Sequence, residues 1–578
     1  MLLPFWAVLL VQSCDRNSKR SQGSEEVAES DSAKDSAKSD KTGVKEQPEL
    51  PGEAEPGTIE PEDVGPEAPT LFFLAGLKGY LEPCGCSADV LLGGIDRIVG
   101  YVDAAKKLAP DSAMIDAGDM LFEFAELEEH EIPQEKAKSE VIVAAQKALG
   151  TQVTVPGERD FALGADFYLQ KMEEAGVEPI GANLEIGDKQ LAAHRIVELD
   201  GKKVGVIGAV DPTLYEAVDE VELREAAPAV REAVGELRGQ DAETIVLVMH
   251  GEFSPMRQVL QAVDGLDFGI VGHGPRETDQ VYEVDGAHTL EAYDQGRYVG
   301  VLKLYQREAD AAYVNAGAGS ESELEKVERA LAHKKDQLER FPPSKRRENP
   351  PVLQRIRDSI EDYEQRLREL RSGEVDVPEE GNAFIYRPVP MEPGLPIDEG
   401  LRERRAEFNE NLAELQANVE REVAPVEEGE AFFVGNNNCE TCHTDAHDFW
   451  EGTEHASAVE TLEERDKLFD QSCIGCHVVG YEKPGGSVIG KLEYEAELDD
   501  GRTIEKNLEE VGCETCHGPG SKHMQQPVDS DGKSQHIEAV PGEDACMQCH
   551  VPEHSPQFNF DAYVKDITGE GHERKSKQ

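Results

Sequence analysis

Four copies of a five-residue pattern, Cys-x-x-Cys-His, crowd the last quarter of the chain. They read CETCH at 439–443, CIGCH at 473–477, CETCH at 513–517 and CMQCH at 546–550. Two thiols at this spacing add across the two vinyl groups of a haem, and the histidine that follows binds the iron. A zinc site built from CxxC pairs gives no reason for a histidine after every pair. The pattern therefore predicts four covalently attached haems of the c type.

These motifs assign a role to eight of the eleven cysteines. We expect thioether bonds at Cys439, Cys442, Cys473, Cys476, Cys513, Cys516, Cys546 and Cys549, and proximal iron ligands at His443, His477, His517 and His550. So short a region has little room for an ordinary apolar core, so the porphyrins must supply much of the buried surface. Haems packed this densely are close neighbours, which makes electron transfer the expected function.

The opposite face of each iron also needs a ligand, and this region has six further histidines. We expect the distal ligands among His455, His523, His572 and His536, with His447 and His554 as weaker alternatives. At most four of these six histidines can be distal ligands, because four irons are expected. A haem with two histidine ligands transfers electrons, whereas a haem with an open face can also bind a small molecule.

The chain begins with an apolar run, residues 2–11, that is too short to span a bilayer and is followed by Cys14. This is typical of an export signal over residues 1–14. A small residue before the cysteine favours a lipoprotein signal with lipidation at Cys14, and a plain cleaved signal is the alternative. We therefore expect a protein of the periplasm or cell envelope, attached to a membrane only through a lipid anchor. Haem c is attached after export, which agrees with this location.

The formal net charge of -60 opposes binding to phosphate backbones, so we expect no nucleic-acid partner. Residues 15–68 are rich in Ser, Glu, Lys and Pro and poor in large apolar side chains, which predicts a disordered acidic linker. The charge would steer a redox partner protein with a basic docking surface. A simpler interpretation is that the negative charge keeps the linker solvated.

Between the linker and the motifs, the sequence predicts two further regions of a multidomain protein. Short apolar runs such as TLFFLAGL and ETIVLVMHG alternate with helical patterns, which indicates a layered α/β domain over residues 69–316. Charged residues at helical spacing, interrupted by FPPSKRRENPP, predict an α-helical hairpin at about 320–373. A short strand-like piece, NAFIYRPVPM, and a further charged helical stretch complete the expected connector over residues 317–430. The haem motifs then lie in a mostly α, loop-rich domain over residues 431–578.

The last domain resembles a known family. The blocks FWEGTEHASAVETL, CIGCHVVGY, VGCETCHGPGSKH and CMQCHVPEHSPQF are similar to the multihaem family that includes the tetrahaem cytochrome receiving electrons from hydroxylamine oxidoreductase. The resemblance covers residues 431–572. It implies a mostly helical, loop-rich fold with stacked haem pairs and mostly bis-histidine ligation, and in some members one five-coordinate haem.

The α/β region resembles the nucleotidase branch of calcineurin-like metallophosphoesterases, through the blocks GYLEPCGCSADVLLGGIDR, MIDAGDML, VPGERDFALG, VMHGE and VGHGPRE. The resemblance implies a two-metal centre of Asp, Asn and His ligands at strand ends. Asp119, His250 and His273 stand where ligands of that centre are expected.

Other ligand positions of the family's metal centre carry different residues here. The family's first Asp and His correspond to Gly76 and Lys78. Its Asn and His correspond to Glu158 and Arg159, and its last His to Pro275. Two ions cannot be clamped without these ligands, and the Lys78 ammonium would repel a cation. We therefore expect a degenerate domain that binds a partner or a small ligand, although a metal site on the three remaining residues stays open.

Cys84 and Cys86, in EPCGC, lie on the loop beside the lost metal ligands. Outside the cytoplasm such a pair forms a disulfide, a redox-active dithiol or a soft metal site. The resemblance implies redox chemistry, because similar proteins sometimes have selenocysteine at one of these positions.

Three functional hypotheses follow. The first is an electron-transfer protein of a respiratory or redox chain. The second is a reductase or oxidase of a small nitrogen or sulfur compound, acting at an open haem or at Cys84 and Cys86. The third, least supported by the ligands, is a metallophosphoesterase.

Overall fold

The computed structural model describes most of the chain after residue 67. The described stretches are 67–84, 92–187, 189–274, 280–309, 311–319, 351–372, 377–417, 421–530, 534–551 and 558–569, with isolated positions such as 57 and 572. The proposed signal, Cys14, nearly all of the linker, Cys86, Pro275 and His554 lie outside the described residues, as does the side chain of Cys84. The chain divides into a front unit, within Pro51–Gln416, and a C-terminal unit that includes Ala417–Val551.

The front unit alternates strands and helices. Its strands are β1 (Thr70–Leu74), β2 (Pro83–Cys84), β3 (Leu92–Gly93), β4 (Ser112–Asp116), β5 (Thr151–Thr154), β6 (Glu178–Pro179), β7 (Leu184–Ile186), β8 (Lys189–Gln190), β9 (His194–Leu199), β10 (Lys202–Val210), β11 (Val221–Leu223), β12 (Thr244–His250), β13 (Phe268–Val271), β14 (Tyr282–Val284), β15 (Ala287–Leu290), β16 (Tyr298–Tyr305), β17 (Tyr313–Asn315) and β18 (Asn382–Pro390). Its helices are α1 (Ile95–Leu108), α2 (Ile132–Leu149), α3 (Ala165–Ala175), α4 (Ala226–Gly239), α5 (Phe253–Ala262), α6 (Pro351–Ser372) and α7 (Glu399–Ala417).

Two mixed sheets form the framework of this unit. The larger has the order β17-β18-β16-β1-β4-β5-β6, in which β1, β4, β5 and β6 run parallel and β16 is antiparallel to β1. The second has the order β14-β15-β13-β12-β10-β9, with β10, β12, β13 and β15 parallel. Smaller sheets join β11-β7-β8 and β2-β3.

Apolar contacts hold the layers together. Phe268 of β13 and Phe384 of β18 meet edge to face with ring centres 5.0 Å apart, so the two sheets pack on each other. On the other face of the second sheet, α4 and α5 bury Val230, Leu237 and Leu260. Apolar residues at helical spacing on α4 make this packing possible. The predicted layered α/β domain is confirmed.

The structure corrects the expected connector at 317–430. Strand β18 is a member of the large sheet and pairs antiparallel with β16, with Leu302 opposite Tyr386. Helix α7 also contacts the front unit, because Arg405 forms ion pairs with Glu82 and with Asp96, the second at 3.2 Å. The segment looked isolated because its pairing partner lies far away in the sequence. The helical residues described within 327–338, helix α6, strand β18 and helix α7 match the expected secondary structure, whereas the expected separation of this segment from the α/β domain is corrected.

The C-terminal unit has short helices joined by loops. They are α8 (Asn436–Glu440), α9 (Thr444–Trp450), α10 (Ala458–Glu463), α11 (Gln471–Ile474), α12 (Cys513–His517), α13 (Ser521–Gln525), α14 (Glu543–Cys546) and α15 (Phe560–Ile567), with one hairpin of β19 (Glu493–Glu497) and β20 (Thr503–Asn507).

The apolar clusters of the C-terminal unit are small in the stretches that can be described. One gathers Val459, Leu462, Ile474, Val478 and Ile489, and two others have three buried members each. The expected loop-rich, mostly helical architecture is confirmed. In the described part of the whole chain, no helix is both long and apolar enough to cross a membrane.

Candidate functional site

The four CxxCH motifs lie on or beside short helices, which hold the two cysteines of a motif one turn apart. The motif at 513–517 forms α12, and Cys439, Cys473 and Cys546 lie in α8, α11 and α14. All eight motif cysteines are free of disulfide bonds. Each motif therefore presents two thiols and a histidine on a short helical segment.

Thiols of different motifs approach one another. The thiols of Cys439 and Cys513, from the first and third motifs, hydrogen bond to each other. The thiols of Cys476 and Cys549, from the second and fourth motifs, do the same. Groups attached at the paired motifs would therefore be close neighbours.

Three of the motif histidines face a second imidazole from a distant segment. The ring centres lie 6.3 Å apart for His443 and His523, 6.5 Å apart for His517 and His572, and 6.2 Å apart for His550 and His455. Two imidazoles that bind one metal from opposite sides, each through a bond of about 2 Å, hold their ring centres about 6 Å apart. The three pairs therefore have the spacing of bis-histidine ligation.

Backbone carbonyls orient several of these rings. The Nδ1 atoms of His477, His517 and His523 lie 2.6, 3.1 and 3.0 Å from the carbonyl oxygens of Ala458, Glu538 and Gln535. A carbonyl oxygen can only accept a hydrogen bond, so Nδ1 carries the proton. Nε2 of the neutral ring then has no proton and can bind a metal through its lone pair.

The protonation of the buried rings suits metal binding. Burial, together with the neighbouring His550, lowers the pKa of His455 to about 4. Burial and nearby histidines also lower the pKa of His517 to about 4. Both imidazoles are therefore neutral at neutral pH, which is the form that binds a metal.

The remaining histidines of this unit are placed differently. Among the residues that the structure describes, no imidazole stands opposite His477. His536 is exposed and has a left-handed backbone, and it is not paired with a motif histidine, contrary to its expected role as a distal ligand. His447 packs instead beside Trp450, at 5.2 Å between ring centres.

A second cluster of donor atoms lies in the front unit, where parallel strands of both sheets end. Asp119 follows β4, Glu158 follows β5, His250 ends β12 and His273 follows β13. Carboxyl ends of parallel strands are where α/β folds gather their sites. One donor atom from each residue lies within 4.8 Å of the other three. The structure therefore brings together the three predicted residues, Asp119, His250 and His273, and adds Glu158.

From the sequence alone, Glu158 is only the replacement of a lost ligand. In the structure its Oε2 lies 2.8 Å from His250 Nε2 and 3.5 Å from His273 Nδ1. The signal was available, because a carboxylate is itself a common metal ligand.

One positive side chain contacts the cluster, and a second lies on a loop whose backbone hydrogen bonds to Asp119. Arg159 Nε lies 3.3 Å from both Asp119 Oδ2 and Glu158 Oε1. Lys78 forms an ion pair with Asp294, and both side chains are 15% exposed. Although burial opposes it, hydrogen bonds with Asp119 and Glu158 raise the pKa of His273 to about 9. The site is thus a compact network of carboxylates, imidazoles and cations.

Two further carboxylates support the loops of this site. Asp160 accepts hydrogen bonds from the backbone of Asp119, Met120, Leu121 and Gly157. Burial raises the pKa of Asp116 and of Asp160 to about 7.

Comparison with known proteins identifies the C-terminal unit. The model of the family described as "Cytochrome c554 and c-prime" matches residues 438–518, which contain the first three CxxCH motifs. This region belongs to the cytochrome c554 family. The cytochrome c-554 of Nitrosomonas europaea is 32% identical over 106 residues, which cover 16% of this chain and 40% of that protein. The predicted resemblance is confirmed, and the C-terminal unit is a multihaem c-type cytochrome domain.

The front unit has relatives of another kind. The 5'-nucleotidase of Diplobatis ommata is 25% identical over 187 residues, which cover 27% of this chain and 32% of that protein. A solved structure, the 5'-nucleotidase precursor of Thermus thermophilus, is 14% identical with a TM-score of 0.41, covering 81% of this chain and 94% of that one. The predicted likeness of this unit to nucleotidase-type phosphoesterases is confirmed.

The chain spans well under half of the length of the two curated relatives, 40% of the cytochrome and 32% of the nucleotidase. The fourth motif, at 546–550, lies outside the matched cytochrome c554 family region.

The residues of the cytochrome c554 unit fit haem c. Its motif thiols are free, three of its motif histidines face a second imidazole at the spacing of metal ligation, and the rings of His455 and His517 are buried and neutral. The residues of the front unit do not fit the two ions of a phosphoesterase, because an ammonium from Lys78 and a guanidinium from Arg159 stand where two ligands of the resembling family are expected.

Proposed function

We propose that this protein is an extracytoplasmic electron carrier with four covalently bound haems. The observation that carries the proposal is the set of three imidazole pairs, each of which joins a CxxCH histidine to a histidine from a distant segment at 6.2–6.5 Å between ring centres. Iron ligation requires this arrangement, whereas packing alone does not require it three times.

Each motif would hold one haem through its two thiols and its histidine. His523, His572 and His455 would complete the ligation opposite His443, His517 and His550. The carbonyls of Glu538 and Gln535 accept from Nδ1 of His517 and His523, which leaves Nε2 of each neutral ring unprotonated for iron. Six-coordinate haem of this kind changes its charge by one electron with little rearrangement.

Contacts between motif thiols support neighbouring carriers rather than four separate sites, and Cys516 of the third motif also interacts with Cys546 of the fourth. The contacts Cys439–Cys513 and Cys476–Cys549 bring the attachment points of the first and third, and of the second and fourth, motifs together. Neighbouring carriers exchange electrons faster than distant ones.

The cell location is part of the proposal. Haem c is attached outside the cytoplasm, and the apolar run at residues 2–11 before Cys14 supports export with a lipid anchor. The net charge of -60 supports redox partners with basic docking surfaces. The front unit would bind a partner or a small ligand.

One observation favours a second candidate, a reductase or oxidase of a small nitrogen or sulfur compound. His477 donates to the Ala458 carbonyl at 2.6 Å and, in the described part of the chain, faces no second imidazole. A haem bound there without a second histidine ligand would keep an open face for a small molecule.

The test uses the full chain, produced in a host that matures c-type cytochromes. We expect the mass of four haems and, by electron paramagnetic resonance of the oxidised protein, three low-spin irons and one high-spin iron. Protein without a Soret band or added mass would overturn the proposal. Four low-spin irons would exclude the reductase candidate. The double variant Cys546→Ser/Cys549→Ser should lower the count to three haems, which tests the motif outside the matched family region.

A further inference from the structure

We propose that Glu514, the second residue of the third CxxCH motif, is a positioning residue whose buried carboxylate lowers the reduction potential of the haem at that motif. The proposal rests on the electron-carrier function proposed above and adds the residue that decides how readily one haem of the chain gives up its electron. A comparison within the chain carries it. The first motif has the same five residues, CETCH, and places Glu440 where the third motif has Glu514.

The two glutamates have different surroundings. Glu514 lies in α12 and is 2% exposed, whereas Glu440 ends α8 and is exposed. The pentapeptides are identical, so local sequence cannot cause this difference. Burying a carboxylate is costly unless hydrogen bonds compensate it, and the contacts of Glu514 show which groups do so.

Three backbone amides surround the Glu514 carboxylate. The nitrogen of Val434 lies 2.9 Å from both oxygens, that of Gly435 lies 2.7 Å from Oε2, and that of Gly520 lies 2.6 Å from Oε1. An ionised carboxylate only accepts hydrogen bonds, so this set of donors fits the charged form. Gly435 has a φ of 88°, and a Cβ there would lie 2.4 Å from the carbonyl oxygen of Asn507, so glycine suits this position.

The same contacts join two haem attachment sites. Gly435 immediately precedes α8, which holds the first motif. The neighbouring Asn436 accepts a hydrogen bond through Oδ1 from the amide of Cys513 at 2.9 Å. The thiols of Cys439 and Cys513 also hydrogen bond to each other. The carboxylate of Glu514 therefore lies where the loop before the first motif meets the third motif, and it holds the two together.

A buried cation offsets part of this negative charge. Lys506 is 3% exposed and attracts Glu514, but its ammonium donates to the carbonyl of Gly485 at 2.9 Å and to the hydroxyl of Tyr494 at 3.2 Å. Burial raises the pKa of Glu514 to about 7, although its backbone donors and Lys506 oppose the rise. Burial lowers the pKa of Lys506 to about 8. At about pH 9 the carboxylate is therefore charged and the amine mostly neutral.

A fixed negative charge near a haem favours the oxidised iron, because reduction adds a further negative charge. Glu514 and His517 are three residues apart in α12, a separation that places Cβ atoms about 5–6 Å apart on a helix. At an effective dielectric constant of about 20, a unit charge about 10 Å from a redox centre changes the ratio of its two states about tenfold. The exposed carboxylate of Glu440 is screened by water and salt and has a smaller effect.

The experiment compares Glu514→Gln with Glu440→Gln in the full-length, haem-loaded protein. Each substitution removes the same charge from the same pentapeptide and keeps the size of the side chain. Potentiometric titration of the haem absorbance at about pH 9 should show at least one of the four one-electron steps of Glu514→Gln shifted upward. We expect the ratio of reduced to oxidised haem at a given potential to rise about tenfold, which is about 59 mV for one electron. Glu440→Gln should change this ratio less than about twofold.

A third variant separates charge from shape. Glu514→Asp keeps the negative charge and should retain the wild-type potentials within about twofold in the same ratio. An equal upward shift in Glu514→Asp, a shift of equal size in Glu440→Gln, or no shift in Glu514→Gln would overturn the proposal. Loss of a haem from Glu514→Gln would overturn it as well, because the residue would then be needed for structure.

The haem content of each sample separates this proposal from the electron-carrier function on which it rests. Wild-type protein without haem would contradict both. Wild-type and Glu514→Gln proteins that each have four haems and identical potentials would contradict only the role of Glu514.

Discussion

At the scale of single residues, the chemistry of this protein depends on which histidine meets which. The rings of His443 and His523 are nearly parallel, with 26° between their planes, and those of His517 and His572 differ by 16°. His455 and His550 are more tilted, at 49°. Ring orientation at a haem tunes its electronic structure, so haems held by the three proposed ligand pairs would not be equivalent.

A histidine exchange tests the ligand pairs. His523→Ala should remove the ligand opposite His443 and convert one low-spin haem to high spin, because only a sixth strong ligand keeps haem iron low spin. Electron paramagnetic resonance should then show two high-spin irons in four instead of one.

The matched control is His536→Ala. His536 is exposed and belongs to the same loop region that supplies the Gln535 carbonyl to His523. The His536→Ala variant should leave the ratio of low-spin to high-spin haems unchanged. An equal spin change in the two variants, or none in His523→Ala, would remove His523 as a ligand.

At the scale of secondary-structure elements, β18 has the largest consequence for the fold. It joins β16 over the whole length from Tyr298 to Tyr305 and pairs parallel with β17. Its residue Phe384 is fully buried and contacts both Phe268 and His288, the latter at 4.7 Å between ring centres. The strand therefore closes one side of the front unit's core, although the sequence places it after a long charged segment.

Truncation of this buried ring tests the membership of β18. Phe384→Ala should lower the free energy of unfolding of the front unit by about 3–5 kcal/mol, the usual cost of removing a buried aromatic side chain. Chemical denaturation followed by circular dichroism measures it. Val314→Ala, at an exposed position of the neighbouring β17, should change stability by less than about 0.5 kcal/mol. If Phe384→Ala lowered the free energy of unfolding as little as Val314→Ala does, β18 would not belong to the core of the front unit and would be part of the separate connector expected from the sequence.

At the scale of the whole molecule, charge and composition set the conditions for meeting a partner. The chain has 118 acidic and 58 basic side chains, which give the formal net charge of -60. A field of this size draws oppositely charged proteins toward the surface and raises their association rate. It also disfavours contact with other acidic proteins.

Salt dependence tests this field. The rate constant for reduction by a small basic cytochrome should fall at least about tenfold when ionic strength rises from about 0.01 M to about 0.5 M, because salt screens long-range attraction. Stopped-flow absorbance of the Soret band measures it. Reduction by an uncharged small molecule serves as the control and should change little. A rate with the basic cytochrome that is insensitive to salt would contradict electrostatic steering.

Some of this protein could be derived from the sequence, because the relevant chemistry is local. A CxxCH motif is complete within five residues, so the attachment positions need no knowledge of the fold. Alternating apolar strands and amphipathic helices likewise predict the α/β front unit without reference to its topology. The presence of Lys78 and Arg159 at positions where the resembling family has metal ligands is also visible in the sequence alone.

Only the tertiary structure decided which distant groups meet. His455 faces the fourth motif, not the first motif that lies nearest to it in the chain, and His536 faces none of the motif histidines in the described part. Glu158 joins Asp119 and the two histidines because β5 and β12 end at the same edge of two packed sheets. The physical reason is the same in each case: ligation and strand pairing depend on distances in space, which long-range packing determines and local sequence pattern does not contain.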